Sequence, residues 1–145
     1  MNARFFLDTN IFVYSFDHSS ATKNRRAAQL IRQAVATRKG IVSYQVVQEF
    51  FHLALRRFAQ PMTVAEAEHY LAAVFRPLLA IQSSAALISE ALRLTARHRL
   101  SWYDALIVAA AIEGGCGILY SEDLKDGQRF GDLKIENPFI EGAAR

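Results

Sequence analysis

The sequence predicts an α/β fold: a central, mostly parallel β-sheet of four or five short strands, flanked by helices on both faces. Three observations predict it. Short apolar runs alternate with amphipathic segments along the whole chain, which is the pattern of strand–helix–strand units. Two of those runs, Phe5-Phe6-Leu7 and Gly117-Ile118-Leu119-Tyr120-Ser121, lead straight into acids, Asp8 in one case and Glu122-Asp123 in the other. A run of that length stopped by a charge reads as a buried strand with its carboxyl end at the sheet edge. The third is the segment Trp102–Glu113, apolar almost all round and therefore a buried helix.

The remaining elements follow in order. Asn10 to Phe16 reads as a short helix broken at Asp17-His18-Ser19-Ser20. Ala27, Leu30, Ile31 and Val35 recur at helical spacing and mark a helix ending near Gly40. Ile41-Val42 is a short strand. Ser43 caps a helix expected to run to about Phe58, with Val46, Val47, Phe50, Phe51, Ala54 and Phe58 inward. Thr63 and Glu66 have capping-box spacing and open a helix to about Phe75, which Pro77 is expected to stop. Leu79-Ala80-Ile81 is a strand. Ser84 opens one helix and Ser101 the next, closed by Gly114-Gly115. Leu133-Lys134-Ile135 is expected as a last edge strand. With strands parallel and crossovers right-handed, the carboxyl ends of the strands share one edge, where α/β sheets bind ligands.

Composition narrows the class. The chain has 145 residues, 52% of them apolar, which predicts one domain over 1–145 with a sizeable core. No apolar stretch is long enough to span a bilayer and none near the start reads as a signal peptide, so a cytoplasmic protein without a membrane partner is expected. The single cysteine, Cys116, excludes an internal disulfide and a cysteine zinc site. Net charge is +3, but the basic residues are clustered: Lys23, Arg25, Arg26, Arg32, Arg38 and Lys39 fall in a stretch without an acid. That stretch suits a polyanionic partner and equally an ordinary solvated helix face.

Acids are scarce early on, with only Asp8, Asp17 and Glu49 before Glu66. Asp8 is placed either to cap the segment after it or to face the crevice. Asp104 sits at the third position of the buried helix, where the helix dipole favours an acid, and a buried helix aims its amino end either inside the fold or at the sheet edge. Glu49 falls on the polar side of its helix with Gln45, His52 and Arg56, and pattern alone reads it as solvated. Glu122, Asp123 and Asp126 crowd one loop, and Asp126-Gly127 is a turn signal. The histidines, His18, His52, His69 and His98, lack metal-ligand spacing. Converging carboxylates repel unless a cation lies among them, and an all-oxygen set points to Mg²⁺ or Mn²⁺.

Four segments together resemble the PIN-domain family, and within it the VapC-type toxins of toxin–antitoxin pairs. FFLDTNIF resembles the family's strand followed by Asp, a hydroxyl residue and Asn. SYQVVQEF resembles the helix with a small residue and, six positions later, Glu. WYDALIVAAA resembles the helix opened by Asp, and ILYSEDL the strand ending in Ser, any residue, then Asp. By this resemblance the catalytic and metal-holding set is Asp8, Glu49, Asp104 and Asp123. Thr9, Asn10 and Ser121 fall on supporting polar positions, with Glu122 beside them. Glu122 or Asp126 could replace or supplement Asp123. The resemblance implies a Mg²⁺- or Mn²⁺-dependent endoribonuclease with an RNA substrate, a VapB-type antitoxin and a homodimeric state. Lys23, Arg25, Arg26, Arg56 and Arg57 would guide the RNA backbone. The alternatives are a PIN nuclease of RNA processing and a catalytically inactive RNA- or protein-binding module. A phosphatase of the haloacid-dehalogenase type would need an acid two positions after Asp8, where Asn10 stands.

Overall fold

Phe5, Phe6 and Leu7 are buried in succession in strand β1 (Arg4–Leu7). Neighbouring side chains of a strand point to opposite faces, so both faces of β1 are covered. The computed structural model describes residues 3–140, and within them β1 is an inner strand of a six-stranded sheet. The strands are β2 (Gly40–Ser43), β3 (Leu79–Ile81), β4 (Cys116–Tyr120), β5 (Arg129–Phe130) and β6 (Leu133–Glu136), in the order β3-β2-β1-β4-β6-β5. All pairings are parallel except β5 with β6. The chain builds outward from β1 through β2 to β3, then returns to place β4 on the other side of β1. The order therefore reverses between β1 and β4, and a crevice opens beyond their carboxyl ends.

The helices are α1 (Thr9–Tyr14), α2 (Ala21–Thr37), α3 (Tyr44–Ala54), α4 (Val64–Tyr70), a π-helical turn (Leu71–Phe75) leading into α5 (Arg76–Leu78), α6 (Ala85–Arg97) and α7 (Trp102–Glu113). In α7, Ala105, Ile107, Val108, Ala109, Ala110 and Ala111 are all buried, as an apolar helix requires. Thr63 and Glu66 form the expected capping box. Burial pushes the Cys116 thiol up to about 11, which leaves it a small inert core residue. Among the described residues no helix is long and apolar enough to cross a membrane.

Five expectations are corrected. The sheet has six strands rather than four or five, because Gly131 (φ 62°) turns the chain so that Arg129-Phe130 pairs back on β6. Leu133–Glu136 is consequently an inner strand, not the edge. Helix α3 stops at Ala54, not Phe58; Arg57 and Phe58 both donate to the Leu53 carbonyl in a turn that lays Phe58 against Phe16 and Phe50. Pro77 does not stop the helix. The widened turn before it, with the Arg76 N–H bonded to the Leu71 carbonyl, accommodates the ring and carries the helix on to Leu78. Ser43 stands at the N-cap of α3, but its buried hydroxyl makes no capping bond.

One close approach sets the seam between α2 and the sheet. A Cβ added to Gly40 would lie 2.2 Å from the Ala34 Cβ, 2.8 Å from its Cα and 2.9 Å from the Phe5 ring. Backbone cannot move aside as a side-chain tip can. Gly40→Ala should therefore lower stability by about 1–3 kcal/mol, the usual cost of overpacking, read as a lower urea midpoint with unchanged slope. An unchanged midpoint would show that α2 is free to shift.

Candidate active site

Four acids from four elements line one cleft of about 690 Å³ beyond the carboxyl ends of β1 and β4: Asp8, Glu49, Asp104 and Asp123. Topology brings them there. Asp8 follows β1 directly, and Asp123 is in the loop after β4. Helix α3 starts where β2 ends, so Glu49 lies near the same edge. Helix α7 runs down to the start of β4, so its amino end, with Asp104, sits at the edge where β4 finishes.

Asp8 is 6% exposed. Its Oδ1 accepts the Thr9 N–H at 2.7 Å, and its Oδ2 accepts the Ser121 hydroxyl at 2.8 Å. The helix-cap reading and the cleft reading are therefore both correct: Asp8 caps α1 and faces the cleft. Burial pushes its carboxyl up to about 6, opposed by the bonds from Ser121 and Thr9 and reinforced by the charges of Asp123 and Glu49. Asp123 is also raised, by burial first and then by the charges of Asp104 and Glu122.

Each supporting polar residue holds one acid. The Thr9 hydroxyl donates to Glu49 Oε1 at 2.8 Å, the Asn10 amide to Asp123 Oδ2 at 3.0 Å, and Ser121 to Asp8. The Ser121 hydroxyl, fully buried, also accepts the N–H groups of Asp123 and Leu124 at 3.2 and 3.4 Å. It thus couples Asp8 to the backbone of the Asp123 loop. Gln45 donates from the other side to Glu49 Oε2 at 3.2 Å. Ser101 caps α7 by accepting the Asp104 N–H at 3.2 Å.

The other loop acids are turned elsewhere. Glu122 is bonded to Tyr14 and Lys23, and Asp126 accepts the Asn137 N–H at 2.8 Å. Neither lines the cleft, and nor do Lys23, Arg25, Arg26, Arg56 or Arg57. Arg25 and Arg56 are exposed, Arg26 bonds Gln29, and Arg57 borders a separate apolar cavity beside Phe16 and Phe58. Sequence reasoning missed four polar residues that do line the cleft: Gln45, Gln48, His52 and Tyr103. The signal was present in α3, where Gln45, Gln48, Glu49 and His52 share one face at i, i+3 and i+4 spacing.

The donor chemistry fits a hard divalent cation, since the cleft offers carboxylate oxygens from all four acids. Among the described residues, no three of these groups stand together as a ready-made ligand set. Asp8 and Glu49 have both oxygens in hydrogen bonds, and Asp123 has one. That arrangement suits a cation that keeps part of its hydration shell and is held partly through water, as Mg²⁺ commonly is.

The PIN-domain family profile matches residues 5–129. The chain belongs to the PIN-domain family. Its match spans every acid of the cleft and every residue that holds one. Among curated protein sequences none matches. Solved structures similar in fold include Mycobacterium tuberculosis VapC20, a Sarcin-Ricin loop cleaving toxin, at 22% identity and a TM-score of 0.60, covering 82% of this chain and 89% of that one. VapBC2 from Rickettsia felis, bound to a DNA fragment from its promoter, is 19% identical with a TM-score of 0.61, covering 92% and 97%. FitAB bound to an IR36 DNA fragment is 15% identical with a TM-score of 0.69, covering 94% and 96%. At these identities the likeness is one of fold, and it agrees with the α/β architecture expected from the sequence.

Proposed function

We propose that this PIN-domain protein is a Mg²⁺- or Mn²⁺-dependent endoribonuclease and the toxin of a VapBC-type toxin–antitoxin pair. The observation that carries the reading is the cleft at the sheet reversal, where Asp8, Glu49, Asp104 and Asp123 converge and Thr9, Asn10 and Ser121 each anchor one of them. The toxin and toxin–antitoxin assemblies of the same fold support it.

Asp8, Asp104 and Asp123 would hold the cation, directly or through water, and Glu49 would hold it or orient the attacking water. When bound, the cation would polarise the scissile phosphate and increase the acidity of water. The chain's own part is positional. Ser121, Thr9 and Asn10 fix the carboxylate orientations, so little rearrangement is needed at the moment of reaction. Exposed Arg25 and Arg56 are the cations we assign to the RNA backbone. A VapB-type antitoxin and a second copy of the chain are the proposed protein partners. An antitoxin arginine would fit the cleft, since a guanidinium can satisfy two carboxylates at once.

The test has two arms. Purified protein should cleave single-stranded or hairpin RNA with Mg²⁺ or Mn²⁺ and fail to do so in EDTA. Its expression alone should stop growth, and co-expression of the adjacent antitoxin gene should relieve the arrest and yield a stable complex. Equal cleavage in EDTA would refute the metal assignment. Harmless expression of an active nuclease would make it an RNA-processing PIN enzyme instead.

A further inference from the structure

Glu122 shares a peptide bond with Asp123, yet its carboxylate points out of the cleft. The Tyr14 hydroxyl donates to its Oε1 at 2.5 Å and the Lys23 ammonium to its Oε2 at 2.7 Å. Lys23 also donates to the Tyr14 hydroxyl at 3.2 Å and lies 4.7 Å from the centre of the Tyr14 ring and 5.8 Å from that of Phe139. Phe139 in turn packs edge-on against Tyr14 at 4.9 Å. The side chains of Lys23 and Glu122 are only 35% and 23% exposed. Burial alone would raise the Glu122 carboxyl, but the bonds from Lys23 and Tyr14 outweigh it and hold it below its ordinary value. This is a packed, three-membered network rather than a solvated surface pair, whose contribution would be small.

Its placement gives it a role. Tyr14 ends α1, Lys23 is in the first turn of α2, and Glu122 is in the loop after β4. Asn10, one helical turn before Tyr14, holds Asp123 itself. Helix α1 thus grips two consecutive loop acids from positions i and i+4 of one face, Asn10 on Asp123 and Tyr14 on Glu122. Lys23 neutralises the charge next to Asp123 and draws it away from the cleft.

We infer that Lys23, Tyr14 and Glu122 form a latch that positions Asp123 for divalent-cation binding. The inference rests on the metal-dependent reading above and assigns Lys23 a task other than the RNA contact expected of it. Lys23, Tyr14 and Glu122 are positioning residues.

The test is Mn²⁺ binding by the whole chain, followed as the rise in melting temperature on titration at constant ionic strength. Wild type is compared with Lys23→Met, Glu122→Gln and the double variant. Amide hydrogen exchange of residues 121–126 is measured on each without metal. A latch predicts that both single variants weaken Mn²⁺ binding about tenfold, the usual effect of removing a residue that orients a ligand. It predicts that the double variant is no worse than the poorer single one, and that loop exchange quickens in all three. A field effect alone would move the singles in opposite directions, because Lys23→Met adds net negative charge near the cation and Glu122→Gln removes it. Opposite signs would overturn the latch. So would unchanged Mn²⁺ midpoints, whether accompanied by a lower metal-free melting temperature, as a merely structural network requires, or by weaker RNA binding, as an RNA contact requires. Absence of any Mn²⁺ effect on wild type would overturn the metal reading itself, a result distinct from normal wild-type binding with unshifted variants.

Discussion

Asp8→Asn is expected to reduce metal-dependent RNA cleavage at least a hundredfold, the upper range even for residues that merely support a ligand, and to relieve any growth arrest. The metal-free protein should nevertheless melt no lower than wild type at neutral pH. Asp8 is nearly inaccessible, and its carboxyl is raised from 3.8 to about 6, with burial the largest cause. The folded state therefore binds this proton more tightly than the unfolded chain does. The cost of the buried charge is absent below about pH 3.8, grows as pH rises from there to about 6, and is complete above 6. An amide of the same shape removes that charge, though it keeps only one acceptor for the two donors Thr9 and Ser121. The net gain above pH 6 should be about 1–3 kcal/mol, shrinking toward zero near pH 4. Urea melts of both proteins between pH 4 and 8 measure it. A variant that loses stability most at high pH would show that Asp8 is stabilised by its charge, contrary to its environment. Full activity in the variant would remove Asp8 from the reaction.

Ser121→Ala is the second large effect expected. The fully buried Ser121 hydroxyl donates to Asp8 and accepts the N–H groups of Asp123 and Leu124. Without it, Asp8 loses the strongest influence lowering its pKa, so its carboxyl rises further and is protonated over more of the neutral range. Two N–H groups of the Asp123 loop lose their acceptor as well. Metal binding must then displace a proton from Asp8 and order a looser loop. Mn²⁺ affinity at pH 7 should fall about 10–100-fold, and the pH midpoint of Mn²⁺ binding should move up. Raising the pH should recover part of the affinity. A uniform loss at every pH would mean that Ser121 serves only the loop backbone. No loss at all would detach it from the site.

The parts of the site legible in the sequence are those where local pattern and burial point the same way. Asp8 and Asp123 terminate apolar strand runs. Asp104 opens a helix too apolar to lie on the surface. Glu49 was legible only through the motif, because a residue beside His52 and Arg56 reads as solvated until one knows that Asp8 and Thr9 approach that face. Element ends were less legible where side-chain packing decided them. Phe58 turns back onto Phe16 and Phe50, and the π-helical turn before Pro77 has no composition signal of its own.

By itself, then, the sequence determined the alternating architecture and the edge of the sheet at which the acids gather, while the motif resemblance proposed which acids form the site. Only the tertiary structure decided which of Glu122, Asp123 and Asp126 faces the cleft, and it is Asp123. Three acids within five loop residues carry no periodicity, so their directions depend on what approaches from elsewhere. Asn10 of α1 takes Asp123, Tyr14 and Lys23 take Glu122, and the Asn137 N–H takes Asp126. Three of these partners lie far along the chain from the acid they hold, Asn10, Tyr14 and Lys23 at separations of 113, 108 and 99. Such contacts are specified by folding, which sets which unlike groups meet, and not by any run of neighbouring residues.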